Sequence, residues 1–406
     1  MNARIVADET VAAAQCFVGP LGDLVVLPPD RITPDALRRA DALVVRSAVR
    51  VGRTLLEGTA VRFVGTATSG ANHVDTAYLE DAGIAFAAAP GCNAAAVAEY
   101  IIAALLGWGR RSGRAPAGRT LGVIGAGHVG RRVAALAPLL GLDVLVCDPP
   151  RARTEGPAGF VPFDRIVGRS DILTLHVPLI EGGPDRTRGM MDADVIDALP
   201  AGALLINTAR GGVVDTGAAV RARRGGRLSG LLVDVWSGEP AVDRDVLAAA
   251  DLMTPHTAGY SVEGRLRGTH AIALALARFL GGKTDDPPSD HGLAPVARTI
   301  EAPVARTIEA PAGRTIGNAP ALRPVSPSGH NDLAAWVLAA FDPWVDSDAF
   351  ARQVRAASGD GAEEFRRFRR TYRERREFSA FRLPDGPKAM TGDLRDGLRR
   401  MGFDAA

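Results

Sequence analysis

The stretch Leu121-Gly122-Val123-Ile124-Gly125-Ala126-Gly127-His128-Val129-Gly130-Arg131-Arg132 decides how the rest of this chain is read. It opens as an apolar strand, and the residues from Gly130 to Leu140 carry a helical pattern. Between them the glycines are spaced GxGxxG. Gly125 permits a tight turn, Gly127 lets the backbone approach a pyrophosphate, and Gly130 lets helix and strand pack closely. The helix N-terminus then offers free N–H groups and a partial positive charge to phosphates. Such a motif alone is weak, because glycine-rich turns are common. Here the next strand, Asp143–Cys147, ends at Asp148, 18 positions after Gly130. A ribose-binding carboxylate belongs at about that distance, so the combination reads as a dinucleotide site. A carboxylate repels a 2′-phosphate, which favours NAD over NADP. Arg151 and Arg153 stand close enough in sequence to keep NADP open as an alternative.

Working outward, short apolar runs alternate with helix-like segments through the first 280 or so residues. Candidate strands are 4–7, 24–27, 43–46, 63–66 and 84–87, then 121–125, 144–147, 172–176, 204–207, 231–235 and 252–254. Amphipathic stretches such as 36–40, 75–82, 130–140 and 218–224 lie between them. Continuous apolar strands separated by helices indicate parallel sheets covered on both faces. Two sets predict an α/β chain with two doubly wound domains. Long helices over 93–107 and 262–280 are expected to pass between the domains and to frame a cleft for a ligand.

Composition sets outer limits. The 406 residues are 47% hydrophobic, too long for one compact domain and apolar enough for two or three cores. The formal net charge of +2 gives no global field toward nucleic acid or a membrane. Lys283 and Lys388 are the only lysines, both in polar surroundings, which argues against Schiff-base chemistry. Cys16, Cys92 and Cys147 are far apart, without CxxC spacing, so neither a disulfide framework nor a metal site is expected. A reducing cytoplasm fits. The charged N-terminus lacks the apolar core of a signal peptide, and the longest apolar stretch, 94–108, contains Glu99 and is too short to span a bilayer.

A second constellation is spread over three strand ends: Asn207-Thr208-Ala209-Arg210, Asp234-Val235-Trp236-Ser237-Gly238-Glu239 and Thr254-Pro255-His256-Thr257-Ala258-Gly259-Tyr260. Open α/β sheets bind ligands at the carboxyl ends of their strands. Hydride removal from a 2-hydroxy acid needs a fixed cation for the carboxylate, a base for the hydroxyl proton and a group that steadies the charged base. Arg210, His256 and Glu239 can fill these roles in that order. Each alone is more often structural; as a set they favour catalysis.

The ordered motifs GAGHVG, Asp148, NTARGG, DVWSGEP and TPHTAGY resemble the D-2-hydroxyacid dehydrogenase family. The resemblance implies a Rossmann-like NAD domain and a flavodoxin-like substrate domain, with Arg210, Glu239 and His256 as the catalytic trio. It implies NAD contacts from Gly125, Gly127, Gly130, Asp148, Thr208, Ala209, Arg210, Asp234 and Gly259. Further stretches resemble a branch of the family that acts on a phosphorylated sugar acid: Val45-Arg46-Ser47, Val64 to Gly70, His73-Val74-Asp75, Ala89 to Asn93, Cys147 to Arg151 and Tyr372 to Glu377. That likeness places substrate contacts at Ser47, Thr68 and Tyr260 besides Arg210. Arg46 is a further candidate for the phosphate, with a surface salt bridge as the equal alternative. Val177 stands where that branch carries a threonine, leaving one hydrogen bond fewer to the cofactor. A sister enzyme, for instance one acting on 3-phosphoglycerate, and a non-catalytic NAD-sensing protein share the same core and remain alternatives.

After Gly281 the composition changes. APVARTIE occurs at 294–301 and again at 302–309, with a third, imperfect copy at 310–316, and reads as a duplicated surface loop. Residues 331–406 read as folded again and resemble, more weakly, a small α+β dimerisation domain, which makes a homodimer the expected state. Within them 363–378 is dense in arginine, with Phe365, Phe368 and Tyr372 on one helical face, and reads as a packing helix rather than a nucleic-acid contact. The expected layout is a substrate domain at 1–95 and 258–285, an NAD domain at 96–257, a linker at 286–330 and the C-terminal domain at 331–406.

Overall fold

A computed structural model describes residues 2–281, 332–383 and 391–405. Lys283, Lys388 and the octapeptide repeat at 294–316 lie outside the described residues. The chain divides into two compact units, Met1–Asn93 with Ser261–Ala321, and Ala94–Tyr260 with Leu322–Ala406.

The first unit holds a five-stranded parallel sheet, β1 (Arg4–Asp8), β2 (Asp23–Leu27), β3 (Ala42–Val45), β4 (Phe63–Thr66) and β5 (Ala85–Ala88), in the order 2-1-3-4-5. The middles of its central strands β1, β3 and β4 are apolar on both sides because both faces are covered there. Ile5, Ala7, Ala42, Val44 and Phe63 point into one core, and Val6, Leu43, Val45 and Val64 into the other. The helix Val262–Phe279 packs on the first of these faces through Ile272, Ala273 and Leu276. Ser261 caps it by accepting from the Gly264 N–H.

The second unit is built around a six-stranded parallel sheet, β6 (Thr120–Ile124), β7 (Asp143–Cys147), β8 (Ile172–Leu175), β9 (Ala203–Asn207), β10 (Leu228–Val233) and β11 (Leu252–Met253), in the order 11-10-9-8-6-7. The same alternation holds: Leu121, Val123, Ile172, Leu204 and Ile206 enter one core, Ile124, Leu173, Leu175 and Leu205 the other. Each fully buried Leu or Ile contributes about 1.5–3 kcal/mol. The helix Ala94–Ser112 is apolar over 94–108 apart from Glu99 and carries Tyr100, Ile101, Ile102, Leu105 and Trp108 into the first core. Strand order reverses at β6, whose neighbours β7 and β8 both follow it in sequence, and the crevice outside the carboxyl ends at such a switch point is where doubly wound sheets hold ligands.

The C-terminal segment is woven into this second unit. Trp336, Trp344, Phe378 and Phe403 enter the first core, and Phe350, Val354 and Phe365 the second. A two-stranded parallel pair, Arg382–Leu383 with Asp404–Ala405, completes it. The helix read over 363–378 is shorter than expected: it spans Ala362–Arg370, and the chain beyond Thr371 runs on without helix. Tyr372 nevertheless keeps the aromatic stripe, its ring 6.0 Å from Phe368, because its hydroxyl is bound by the Asp346 carboxylate at 2.7 Å. Among the described residues no helix is long and apolar enough to cross a membrane.

Candidate active site

The three motifs leave the adjacent strands β9, β10 and β11 at their carboxyl ends, which brings them together. His256 Nδ1 lies 2.8 Å from Glu239 Oε2, with side chains 34% and 24% exposed. Burial pushes the Glu239 carboxyl up, but the hydrogen bond and charge of His256, the Trp236 N–H at 2.9 Å and the charge of Arg369 outweigh it and hold the group below its ordinary value. An ionised carboxylate only accepts, so we assign the proton to Nδ1; Nε2 then presents its lone pair. His256 sits in the left-handed region (φ 57°), unusual without glycine. Its N–H is tied to the Asp234 carbonyl at 2.6 Å.

Asp234 is the hub of this loop. Its buried carboxylate accepts from the Thr254 hydroxyl at 2.6 Å and from the N–H groups of Thr257 and Ala258 at 2.8 and 3.1 Å. Burial pushes its pKa up against these contacts. Arg210, half-buried, gives one N–H to the Ala209 carbonyl at 2.7 Å, and among the described residues no carboxylate ion-pairs with it. Burial pushes the guanidinium down, opposed by the charge of Glu239. Its remaining N–H groups are available to an incoming carboxylate.

On the cofactor side two of the three glycines have their reason in the packing of the protein itself. Gly125 adopts φ 90°, and a Cβ there would meet the His176 carbonyl at 2.6 Å and Val177 at 3.0 Å. A Cβ on Gly130 would stand 1.8 Å from the Gly125 carbonyl, whereas one on Gly127 would meet nothing within 4 Å. Asp148 Oδ2 accepts from the Ala126 N–H at 2.8 Å and Oδ1 from the Arg151 N–H at 3.1 Å, so one carboxylate locks the glycine loop to the following helix, Pro149–Glu155. Arg151 is taken up by Glu155 and by the Ala126 carbonyl, and Arg153 by Asp185. Neither stands free for a 2′-phosphate. The hydroxyls of Thr208 and Thr257 are buried without a hydrogen-bond partner among the described residues. These orphaned hydroxyls, with the open approach at Gly127, fit a dinucleotide. Ala209 and Gly259 lie in the same two loops.

Arg46, Ser47 and Thr68 belong to the first unit, just beyond β3 and β4. Ser47 is exposed. The Thr68 hydroxyl bonds the Thr66 hydroxyl at 2.8 Å and the Gly70 carbonyl at 2.7 Å, and Thr66 bonds His73 at 2.9 Å. Burial and the charges of Arg46 and Arg50 push His73 below its ordinary value. Among the described residues Arg46 has no ion-pair partner, so the salt-bridge alternative is not seen.

Several supporting residues have no role assigned from sequence. Asn207 holds the Arg210 turn, bonding the Ala209 N–H and the Arg210 carbonyl at 3.0 Å each. The buried Tyr100 hydroxyl bonds Thr254 at 2.7 Å. Arg375 is buried in its own unit: it donates to the carbonyls of Ala258 and Ala96 at 2.8 and 2.7 Å and pairs with Glu99 at 3.5 Å. Arg369 donates twice to the Tyr260 hydroxyl, at 3.0 and 2.7 Å.

Residues 103–258 match the family described as D-isomer specific 2-hydroxyacid dehydrogenase, NAD binding domain, and 319–396 match a domain of unknown function (DUF3410). The chain is 41% identical over 389 residues to erythronate-4-phosphate dehydrogenase of Salinibacter ruber, covering 94% of each. It is 38% identical over 403 residues to that of Pectobacterium carotovorum, covering 99% of this chain and 98% of the relative. Among solved structures it resembles a D-lactate dehydrogenase from Aquifex aeolicus complexed with NAD and lactic acid, with a TM-score of 0.57 and 25% identity over 68% of this chain and 96% of that one.

Proposed function

The chain belongs to the erythronate-4-phosphate dehydrogenases, within the D-2-hydroxyacid dehydrogenase family, and from that premise we propose that it oxidises 4-phospho-D-erythronate to 3-hydroxy-2-oxo-4-phosphooxybutanoate with NAD, a step toward pyridoxine 5′-phosphate. The observation that carries the catalytic reading is the 2.8 Å His256–Glu239 pair beside Arg210. Arg210 holds the substrate carboxylate and polarises the C2–O bond. His256 Nε2 takes the hydroxyl proton, and Glu239 stabilises the imidazolium that results. Bound NAD supplies the acceptor for the hydride that leaves C2. Gly125, Gly127, Gly130, Asp148, Thr208, Ala209, Arg210, Asp234 and Gly259 are the proposed NAD contacts, with Asp148 on the ribose hydroxyls.

Ser47, Thr68, Tyr260 and Arg46 are the proposed substrate contacts. The lack of an ion-pair partner for Arg46 among the described residues supports a role for its charge. A homodimer through 331–406 is part of the same reading; Val345 in that segment, 57% exposed, is an apolar side chain in want of cover. A cytoplasmic setting is supported by three free cysteines.

Turnover with NAD is to be measured on 4-phosphoerythronate, 3-phosphoglycerate and D-lactate in parallel, with a 2-oxo acid to reoxidise NADH. A kcat/KM highest on 4-phosphoerythronate is the expected result. Preference for another hydroxy acid overturns the substrate, and NAD binding without turnover on any of them favours an NAD sensor.

A further inference from the structure

Tyr260 and Arg369 are 109 positions apart and lie on opposite sides of the boundary between the catalytic motifs and the C-terminal segment. The guanidinium approaches the phenol oxygen through both Nε, at 3.0 Å, and Nη2, at 2.7 Å. Arginine only donates, so both contacts use the acceptor side of the phenol oxygen. The hydroxyl proton of Tyr260 must then point elsewhere, and among the described residues no acceptor takes it. The ring is fixed as well: Tyr372 packs edge-on at 5.8 Å, itself held by Asp346. Arg369 is half-buried, has no ion-pair partner among the described residues, and its charge reaches Glu239.

We propose that Arg369 is a positioning residue for the reaction: by occupying the acceptor side of Tyr260 it makes that phenol an obligate hydrogen-bond donor, aimed at an anionic oxygen of the substrate. The proposal rests on the functional reading above, and it gives the C-terminal segment a part in substrate recognition within its own chain. The phenol cannot turn to accept, so substrate oxygens are met by a donor already oriented, and the arginine's positive charge strengthens the attraction for an anion.

The test is a double-mutant cycle on the full chain: wild type, Arg369→Met, Tyr260→Phe and the double variant. KM and kcat for 4-phosphoerythronate, the dissociation constant of NAD and the melting temperature are read for each. Each single substitution is expected to raise KM about tenfold, with kcat and NAD affinity little changed. The double variant is expected to be no worse than Tyr260→Phe, since Arg369 acts through that hydroxyl. Losses that multiply, or an unchanged KM in Arg369→Met, overturn the proposal. So does a fall in melting temperature with unchanged KM, the mark of a purely structural pin. Should Arg369→Met fail to fold, Arg369→Lys, which keeps the charge but not the two-pronged grip, carries the same cycle. A wild-type chain inactive on 4-phosphoerythronate but active on another hydroxy acid overturns the substrate instead, and the cycle is then run on that acid with the same expected outcomes.

Discussion

At the scale of single residues, the proposed chemistry turns on where three protons sit: on Nδ1 of His256, off Glu239, and on the Tyr260 hydroxyl, whose acceptor side Arg369 occupies. Because Glu239 is held below its ordinary 4.5, its carboxylate contributes stability that is fully present above about pH 4.5 and is lost as pH falls through the lowered value. Glu239→Gln is therefore expected to flatten the acid limb of a urea-midpoint profile; an unchanged limb contradicts the assignment. Gly130→Ala drives a methyl toward the Gly125 carbonyl, with an expected cost of about 1–3 kcal/mol in urea unfolding and weaker NAD binding. Asp148→Ala should weaken NAD about tenfold or more without conferring NADP use, because Arg151 and Arg153 already have carboxylate partners. Equilibrium titration with both nucleotides reads this directly. The tight turn at Gly125 and the close packing at Gly130 were legible because each is fixed by local backbone geometry at set spacing. The Arg369 grip on Tyr260 was not, since nothing in spacing links positions 109 apart.

At the scale of elements, strands were the most legible feature. Runs such as Leu204-Leu205-Ile206 are apolar without interruption because alternate residues enter different cores, and that pattern survives in sequence with little ambiguity. The arginine-rich stretch misled at its end. Its periodicity continues past Arg370, but Tyr372 is drawn to Asp346 and Arg375 to the carbonyls of Ala96 and Ala258, and tertiary bonds of that kind override local helix preference. The strand pair Arg382–Leu383 with Asp404–Ala405 is too short to leave a pattern. Arg375 is 1% exposed and joins this segment to the helix Ala94–Ser112 through Glu99. Arg375→Met is predicted to cost about 3–5 kcal/mol, since it breaks a buried ion pair by removing one partner and strips the carbonyls of Ala96 and Ala258 of their donor; thermal unfolding measures it, and a change below about 1 kcal/mol contradicts that account.

At the scale of the whole molecule, the sequence reading set 331–406 apart as a domain, while its aromatic residues supply both cores of the second unit. Composition could mark where folded chain resumes, but not which surface it folds against. Deleting 332–406 is accordingly predicted to leave an unfolded or aggregated chain rather than a working monomer, which circular dichroism and light scattering distinguish. The central claim is that His256, steadied by Glu239, removes the proton as hydride leaves a phosphorylated 2-hydroxy acid. Its most direct test is single-turnover NADH formation from 4-phosphoerythronate by wild type and His256→Ala at saturating NAD. A fall of about 10²–10⁴-fold with NAD affinity retained is the predicted result. NADH formation by His256→Ala at the wild-type rate would contradict it.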